Sequence, residues 1–522
     1  MNGSQAMVQT LLNGGVDVCF ANPGTSEMHF VAALDQATQM RCVLGLFEGV
    51  VTGAADGYYR MAGKPAATLL HLGPGLGNGL ANLHNARKGR SGIVNIIGQH
   101  ALDHIHNDAP LNSDAEGVAR PMSHWVRTTT SATLAPMDTA EAISQAMSSP
   151  GRIASLILPA NCAWEPSDPG HYSFEPARKA ASPLTESIDA MARLLHSKDT
   201  AARTVLLLGG HAMMEKCTWL AGQIAARTGC RVLAEPRTAR LERGRGRVNI
   251  KPLPFAVDGA VKTLQGTENL ILVGSTVPVA FFAYPGKPRL TAPEGCTVHT
   301  LATPGHDLLA TLEALCDAVG ASNETPAYLA TEKPVAGFAD ATPQAENIGP
   351  VLAQALPENA ILIDEAVTSG RQLADSIPLA APHDCLDITG GAIGFGLPAA
   401  VGAAIAAPDR RVIALVGDGS AMYTVQALWT MAREQLNITV VIFDNRSYRI
   451  LRGELANMGG PEPGVNADRM LKLNAPDLDW VSMARAHGLH GVSVDTLKGF
   501  DQALRHANTT PGPSLIALRM PS

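Results

Sequence analysis

The chain has 522 residues, enough for roughly three domains of ordinary size, and its 46% apolar and 17% charged content suits a large, well-buried globular protein. A formal net charge of −7 gives no bulk attraction to nucleic acid or to an anionic membrane. The eight scattered cysteines contain no Cys-x-x-Cys pair, no leader-like segment opens the chain, and no apolar run is long enough to cross a bilayer, so a cytoplasmic protein with free thiols is expected.

In chain order, residues 1–165 alternate helical and strand patterns. A helix over Gln5–Gly14 stops at Gly15, a strand over Val16–Phe20 runs into Asn22-Pro23-Gly24-Thr25-Ser26, and Thr25, Ser26 or Asn22 is placed to cap a helix over Met28–Ala37. A strand over Arg41–Phe47 ends at Glu48, followed by a helix over Thr52–Ala62 and a strand over Ala66–His71. A glycine-rich loop, Gly73 to Gly79, precedes a helix over Leu80–Lys88, and further strands are expected at Ile93–Gly98 and Ala154–Leu158. Asn161–Ser182 reads as a linker. A second unit over 183–320 has its clearest strands at Val205–Leu208, Arg231–Ala234 and Asn269–Val273. Within it, Arg237–Arg247 is locally basic and, with interleaved glycine, reads as a solvated loop. Ser322–Gln344 reads as a second linker, and a third unit over 346–522 has strands at Ala360–Ile363, Val412–Val416, Ile438–Phe443 and Ser514–Leu518. Strands alternating with helices predict an α/β protein of three domains, each a parallel sheet covered by helices.

The most informative stretch runs from Val412 to Ser447. A buried strand ends at Gly417-Asp418-Gly419-Ser420, and a helix is expected over Ser420–Gln435 from Met422, Val425, Leu428, Trp429 and Met431 at helical spacing. A second buried strand then delivers Asn445 beside Asp418. A carboxylate and an amide at adjacent strand ends suit a diphosphate held through Mg²⁺, which takes hard oxygen ligands and shares them with phosphate. Asp418, Asn445 and the backbone carbonyl near Ser447 are the candidate metal ligands, and the Gly419 and Ser420 amides the candidate phosphate donors. Earlier in the chain, His71 ends a strand beside the glycine-rich loop, with an imidazole able to donate or accept a proton near neutral pH. His104 and His106 lack a third partner at ligand spacing and read as a polar loop.

Gly-Asp-Gly-Ser followed 27 positions later (418 to 445) by Asn resembles the thiamin-diphosphate motif of the acetolactate synthase, pyruvate decarboxylase and benzoylformate decarboxylase superfamily, and the resemblance runs over essentially the whole chain. It implies Pyr, middle and PP domains, with thiamin diphosphate and Mg²⁺ as cofactors. It implies that Glu48 hydrogen-bonds the aminopyrimidine N1′ and so promotes deprotonation at the thiazolium C2. Leu70-His71 matches a Leu-His pair of benzoylformate decarboxylase whose histidine transfers protons on the substrate. Asn22-Pro23-Gly24-Thr25 is similar to that family's Asn-Pro-Gly-Ser, so Thr25, with Ser26 beside it, inherits contact with the substrate carboxylate. The loop from Asp387 to Pro398 resembles the one beneath the cofactor, Ile393 matching the wedge residue and the Gly391 carbonyl accepting from N4′. Val367 and Thr368 match a loop near the diphosphate. Asn78, Tyr448 and Ile450 are further implied cofactor contacts. The implied substrate pocket comprises His71, Gln99, His100, Leu111, Phe281, Leu451 and Glu454.

Two departures bear on the reaction. The Trp-Gln pair typical of acetolactate synthases is absent from Tyr448–Leu455, and the second catalytic histidine of benzoylformate decarboxylase is absent from Val279–Gly286. The expected activity is a 2-oxo acid decarboxylase/carboligase of benzoylformate decarboxylase type, working through a C2 ylide and an enamine. The alternatives are acetolactate synthase, a transferase, and a non-catalytic thiamin-diphosphate-binding homologue. In the resembled family Glu48 and Asp418 act from different subunits, which implies a homodimer or homotetramer with small-molecule substrates. FAD enters only by analogy with acetolactate synthases, and no sequence feature demands it.

Overall fold

The computed structural model describes residues 1–167, 174, 176–334, 338–458 and 462–521. Residues 168–173, 175 and 335–337, which fall in the two expected linkers, lie outside the described residues. Three sheets organise the chain, and all their pairings are parallel except one.

The first sheet holds β1 (Val18–Asn22), β2 (Arg41–Leu44), β3 (Ala66–Leu70), β4 (Ile93–Gln99), β5 (Trp125–Thr128) and β6 (Ile153–Pro159), in the order β2-β1-β3-β4-β6-β5. β3, β4 and β6 are buried along their whole length, as strands covered on both faces must be. Helices precede and separate its strands. α1 (Gly3–Asn13) starts on a capping box between Asn2 and Gln5, and α2 (Met28–Asp35) follows a single 3₁₀ turn, Thr25–Glu27. None of Asn22, Thr25 or Ser26 caps α2; instead the Glu27 carboxylate reaches back to the Gly24 amide at 2.8 Å. α3 (Glu48–Ala62) begins at Glu48 itself, four residues earlier than its apolar spacing suggests, and stops at Gly63 with φ +68°. α4 (Leu72–Gly89) swallows the expected glycine loop, so Gly73, Gly75, Gly77 and Gly79 are helical.

The second sheet holds β7 (Thr204–Leu208), β8 (Arg231–Ala234), β10 (Asn269–Val273) and β11 (Thr297–Ala302), in the order β11-β10-β7-β8. Between β8 and β10 the chain leaves this sheet. β9 (Leu241–Arg243) pairs antiparallel with β13 (His383–Asp387) at the edge of the third sheet. The basic stretch is therefore not a solvated loop. Arg240 bonds the Asp384 carboxylate at 2.7 Å, and Arg247 bonds the His383 carbonyl at 2.8 Å and pairs with Glu215 at 2.9 Å. Glycines at 244 and 246, with φ +119° and +82°, give the turn that returns the chain.

The third sheet adds β12 (Ile361–Glu365), β14 (Val412–Gly417), β15 (Ile438–Asp444), β16 (His490–Val494) and β17 (Ser514–Arg519), in the order β16-β17-β15-β14-β12-β13-β9. The expected helix over Ser420–Gln435 is broken into Asp418–Ala421 and Ala427–Arg433. Thr424 in the gap turns its hydroxyl to the Gly394 carbonyl at 3.0 Å, so a contact with a neighbouring loop replaces helix propagation there.

The first and third sheets share one core through α3 and the buried helix Gly396–Ala406. Glycines set their separation. A Cβ on Gly402 would lie 1.8 Å from the Ala54 carbonyl oxygen, and one on Gly57 would lie 2.1 Å from that of Ala399. Backbone therefore meets backbone, and no side chain fits between.

Gly402→Ala is expected to lower stability by about 3 kcal/mol or more, because neither backbone can yield cheaply. Gly453→Ala, in the helix Arg449–Asn457 with open space around it, should be neutral or gain up to ~1 kcal/mol. Equal effects in thermal or denaturant unfolding would refute the close crossing. A second expectation concerns His383, whose Nδ1 faces the Ala381 carbonyl at 2.7 Å while Nε2 is buried without a partner. Burial first, then Arg243 and Arg247, push its pKa from 6.5 down to about 4. The neutral ring is thus favoured by folding, and its contribution of ~3 kcal/mol is present above pH 6.5 and lost as pH falls through 6.5 towards 4. Unfolding midpoints of wild type and His383→Gln across this window should converge on acidification; parallel curves would show that His383 is not the group responsible.

Candidate active site

The first group of predicted residues gathers at the C-terminal ends of β1 and β3. β1 delivers Asn22, Pro23 and Gly24 to the 3₁₀ turn carrying Thr25 and Ser26. β3 delivers His71, the residue before α4, and Leu72 follows with φ +44°, a left-handed turn that is strained for leucine. His71 Nδ1 lies 2.8 Å from Glu27 Oε2 and 3.3 Å from Ser26 Oγ. Thr25 is exposed and Ser26 half-buried. A Cβ on Gly24 would fall 2.2 Å from His71 Nδ1, so glycine is required for the imidazole to pack there.

Glu48, buried at the first residue of α3, accepts from Asn78 Nδ2 at 3.0 Å. Glu48 and His71 converge on Gly75: a Cβ there would be 2.9 Å from Glu48 Oε1 and 3.2 Å from His71 Cβ. The helical glycine leaves room for both side chains on one face of α4. Gln99 ends β4 and is buried. Its amide braces the following loop, giving Nε2–H to the Ser113 carbonyl at 3.2 Å and accepting the His100 amide at 2.8 Å. His100 Nε2 is buried without a partner, and Leu111 is largely exposed.

The second group lies at the C-terminal ends of β12, β14 and β15. Because β14 and β15 are adjacent, with Gly417 opposite Phe443, Asp418 and Asn445 emerge side by side. Asp418 accepts the Gly419 amide at 2.8 Å and the Arg446 amide at 2.5 Å. Asn445 accepts the Ser447 amide at 3.0 Å and points Nδ2 at Ser369 Oγ, 3.5 Å away. Ser369 follows Val367 and Thr368, and Val367 has φ +49°, a strained value for a β-branched residue. Tyr448 lays its ring against Gly419, where a Cβ would come within 2.4 Å, and Ser420 is buried while Ile450 is half-buried. Burial pushes the Asp418 carboxyl up to about 6, with the Gly419 and Arg446 amides opposing and Asp444 adding to the rise. Its hydrogen-bond donors are neutral amides, so a divalent cation would hold it ionised. Among the described residues, no cluster of three His, Cys, Asp or Glu side chains could hold a metal. A cation at Asp418, Asn445 and the backbone carbonyl near Ser447 would take its remaining ligands from phosphate oxygens or water, as Mg²⁺ does. The donor set fits Mg²⁺ carried with a diphosphate.

A residue beyond the expected site holds the loop beneath it. Glu365, at the end of β12, accepts three amides: Gly394 at 2.7 Å, Phe395 at 3.1 Å and Gly396 at 2.7 Å. Burial raises its pKa to about 7 against the pull of these amides. They fix the turn containing Gly391 (φ +76°), Ile393 and Gly394 (φ +94°). From the other side, α4 reaches the same loop. Asn82 Nδ2 donates to the Gly394 carbonyl at 3.1 Å, Asn85 Nδ2 to that of Ala392 at 2.8 Å, and His84 Nε2 lies 3.1 Å from that of Gly390.

Phe281 packs against Gly391 and meets Phe255 at a tilt and Phe282 edge-on. Tyr284 donates to Glu454 at 2.6 Å, which joins the loop after β10 to the helix Arg449–Asn457. A cavity of about 490 Å³ is lined by Phe281, Glu454, Val367, Asp364 and Asp387. Leu451, on the same helix, is exposed. The expected pocket is thus divided, with His71, Gln99, His100 and Leu111 on the first sheet's side and Phe281, Leu451 and Glu454 on the third's. Glu27 and Glu365 were missed in the sequence. Glu27 had a signal, a carboxylate three residues after Gly24 at capping-box spacing.

Comparison with known proteins accords with this geometry. Residues 1–119 match the family model described as thiamine pyrophosphate enzyme, N-terminal TPP binding domain, and residues 368–518 match its C-terminal TPP binding domain. The chain is 48% identical to the Mycobacterium tuberculosis protein IlvX, which carries an acetolactate synthase large-subunit name, over 100% of this chain and 99% of that one. It is 29% identical to benzoylformate decarboxylase of Pseudomonas aeruginosa over 98% of this chain and 97% of that one. Among solved structures, the thiamine diphosphate-dependent 4-hydroxybenzoylformate decarboxylase of Rhodococcus jostii RHA1 superposes with a TM-score of 0.86 at 27% identity, covering 100% and 99% of the two chains.

Glu365→Ala leaves three buried amides without an acceptor, each costing about 1–3 kcal/mol. The variant should unfold at markedly lower temperature and bind thiamin diphosphate more weakly by calorimetric titration. Glu365→Gln, which keeps a single good acceptor, should fall between it and wild type. Wild-type stability in Glu365→Ala would show that the loop does not depend on this anchor.

Proposed function

The chain belongs to the thiamine pyrophosphate enzyme family, and we propose that it is a thiamin-diphosphate- and Mg²⁺-dependent 2-oxo acid decarboxylase/carboligase of benzoylformate decarboxylase type. The observation that carries this reading is that the Glu48 carboxylate and the His71 Cβ both lie against Gly75, which brings the bases of both side chains to one turn of α4. When bound, thiamin diphosphate supplies a nucleophilic carbon that cleaves the bond between a 2-oxo acid's carbonyl and carboxylate carbons.

In this reading Asp418, Asn445 and the carbonyl near Ser447 hold Mg²⁺, while the Gly419 and Ser420 amides meet the diphosphate. Val367, Thr368, Gly391, Ile393, Tyr448 and Ile450 form the bed beneath the cofactor, and Asn22, Pro23, Gly24 and Asn78 approach it from the first sheet. Glu48 holds a proton at the aminopyrimidine nitrogen. His71 moves protons on the substrate, and Thr25 or Ser26 binds the substrate carboxylate. The remaining pocket residues, Gln99, His100, Leu111, Phe281, Leu451 and Glu454, shape the space for the substrate's side chain.

A homodimer or homotetramer with its sites between subunits is the proposed assembly. Exposed apolar side chains near the metal site (Met422, Tyr423, Leu451, Met458) support it. All eight cysteines are free, which supports a cytoplasmic location, and no described helix is long and apolar enough to cross a membrane. FAD, which enters only by analogy with acetolactate synthases, is not part of this proposal.

The second reading is acetolactate synthase, favoured by the name of the 48%-identical relative and opposed by the missing Trp-Gln pair. A third is a non-catalytic thiamin-diphosphate-binding homologue. The test is incubation with thiamin diphosphate, Mg²⁺ and either benzoylformate or pyruvate, with products resolved by chromatography. Benzaldehyde from benzoylformate is expected, and Glu48→Gln should slow its formation about 10²-fold or more. Acetolactate from pyruvate would replace this reading with the second. Turnover of neither, despite cofactor binding, would favour the third.

A further inference from the structure

The Glu27 side chain beside His71 is only 1% exposed and meets three donors. The Gly24 amide donates to Oε2 at 2.8 Å, Ser26 Oγ donates to Oε1 at 2.9 Å, and His71 Nδ1 lies 2.8 Å from Oε2. Two glycines make room for it. A Cβ on Gly98 of β4 would fall 1.7 Å from Glu27 Oε1, and a Cβ on Gly24 would meet the His71 ring. The carboxylate is thus enclosed, and its 2.8 Å contact with Nδ1 leaves no space for a bridging water, while the imidazole stays 22% exposed. Glu48 lies across Gly75 with its own donor, Asn78, and does not compete for Nδ1.

We propose that Glu27 is a positioning residue that fixes His71 as the Nδ1–H tautomer and leaves Nε2 as the nitrogen that exchanges a proton with the substrate. The inference rests on the decarboxylase/carboligase reading for its catalytic consequence, and on geometry alone for the tautomer. An ionised carboxylate only accepts, so the nitrogen facing it must carry the hydrogen. The other nitrogen is then the basic one, and the fixed ring aims it away from Glu27. A glutamine at 27 would keep a carbonyl oxygen for the Gly24 amide and the turn. It would also offer an N–H to Nδ1, which favours the opposite tautomer.

The test uses the full-length protein with thiamin diphosphate and Mg²⁺, ¹⁵N-labelled at histidine. Long-range ¹H–¹⁵N spectra at pH 8.5 report each ring's tautomer, and His71→Gln identifies the His71 signals. Wild type should show a protonated Nδ1 and an unprotonated Nε2, and Glu27→Gln should show the reverse with unchanged circular dichroism and cofactor affinity. Any other tautomer in wild type, or no change in Glu27→Gln, overturns the proposal whether or not a substrate is known. On whichever 2-oxo acid the wild type consumes, Glu27→Gln should lower kcat about 10²-fold or more with little change in KM, and Glu27→Asp should recover part of it. A tautomer reversal with unaltered kcat would overturn the catalytic consequence alone. Should no 2-oxo acid be consumed, the decarboxylase reading fails while the tautomer result stands.

Discussion

The contact on which the rest depends is the crossing of α3 with the helix Gly396–Ala406. Both helices begin at the site: α3 with Glu48, and the other directly after the loop of Gly391, Ile393 and Gly394. Because Gly57 and Gly402 allow carbonyls and Cα atoms to touch, the two helix starts have little freedom to shift along or away from each other. Dispersion is strongest at such short separations and falls off steeply with any gap. The glycines cost helix propensity, about 1 kcal/mol each relative to alanine. That cost is offset because no larger residue permits the approach. Position at the site is thus set by backbone contact, which is stiffer than side-chain packing.

α4 translates that rigidity into chemistry. Its first turn carries the Glu48–Gly75–His71 convergence, and its third and fourth turns carry Asn82, His84 and Asn85, which hold the loop at 390–394. On the far side, Glu365 holds the same loop through three amides. The loop is therefore pinned between an amide ladder and a buried carboxylate, with few backbone groups left unsatisfied. A bed held in this way does not need the cofactor to order it, which lowers the cost of binding.

Much of this was legible in the sequence, for identifiable reasons. Buried parallel strands such as β4, β6, β14 and β15 are nearly unbroken apolar runs, and the residues at their ends, Asp418 and Asn445, carry unusual chemistry for such positions. What escaped was whatever depended on tertiary partners. α4 could not be extended through Gly73 to Gly79 on propensity, because four glycines argue against a helix until Ser113, Glu48 and Thr52 are seen to occupy the space vacated at Gly73, Gly75 and Gly79. β9 was hidden because the arginines flanking it look like surface, and only the Asp384 partner of Arg240 and the Glu215 partner of Arg247 show otherwise. The break at residues 422–426 came from a hydrogen bond to a loop distant in sequence. Glu365 went unseen, since three backbone donors leave no trace in side-chain spacing.

Strain gives an independent line to the same place. Three non-glycine residues with left-handed backbone lie against the two groups of site residues: Leu72 after His71 (φ +44°), Val367 beside Thr368 (φ +49°) and Arg446 beside Asn445 (φ +54°). Leucine and valine gain nothing intrinsically from that region, and each such residue costs on the order of 1–3 kcal/mol. Some other left-handed residues, such as Arg90 after α4, close helices, where the conformation is common, and Tyr328, Asn359 and Ala475 lie in loops away from these strand ends. Leu72, Val367 and Arg446 instead follow strand ends, where an unstrained chain would carry the next side chain elsewhere. The turn at Arg446 points its amide at Asp418, and the turn at Leu72 starts α4 immediately after His71. In both places backbone strain is spent on orienting a group of the proposed chemistry, and the stiff helix crossing is what can sustain it.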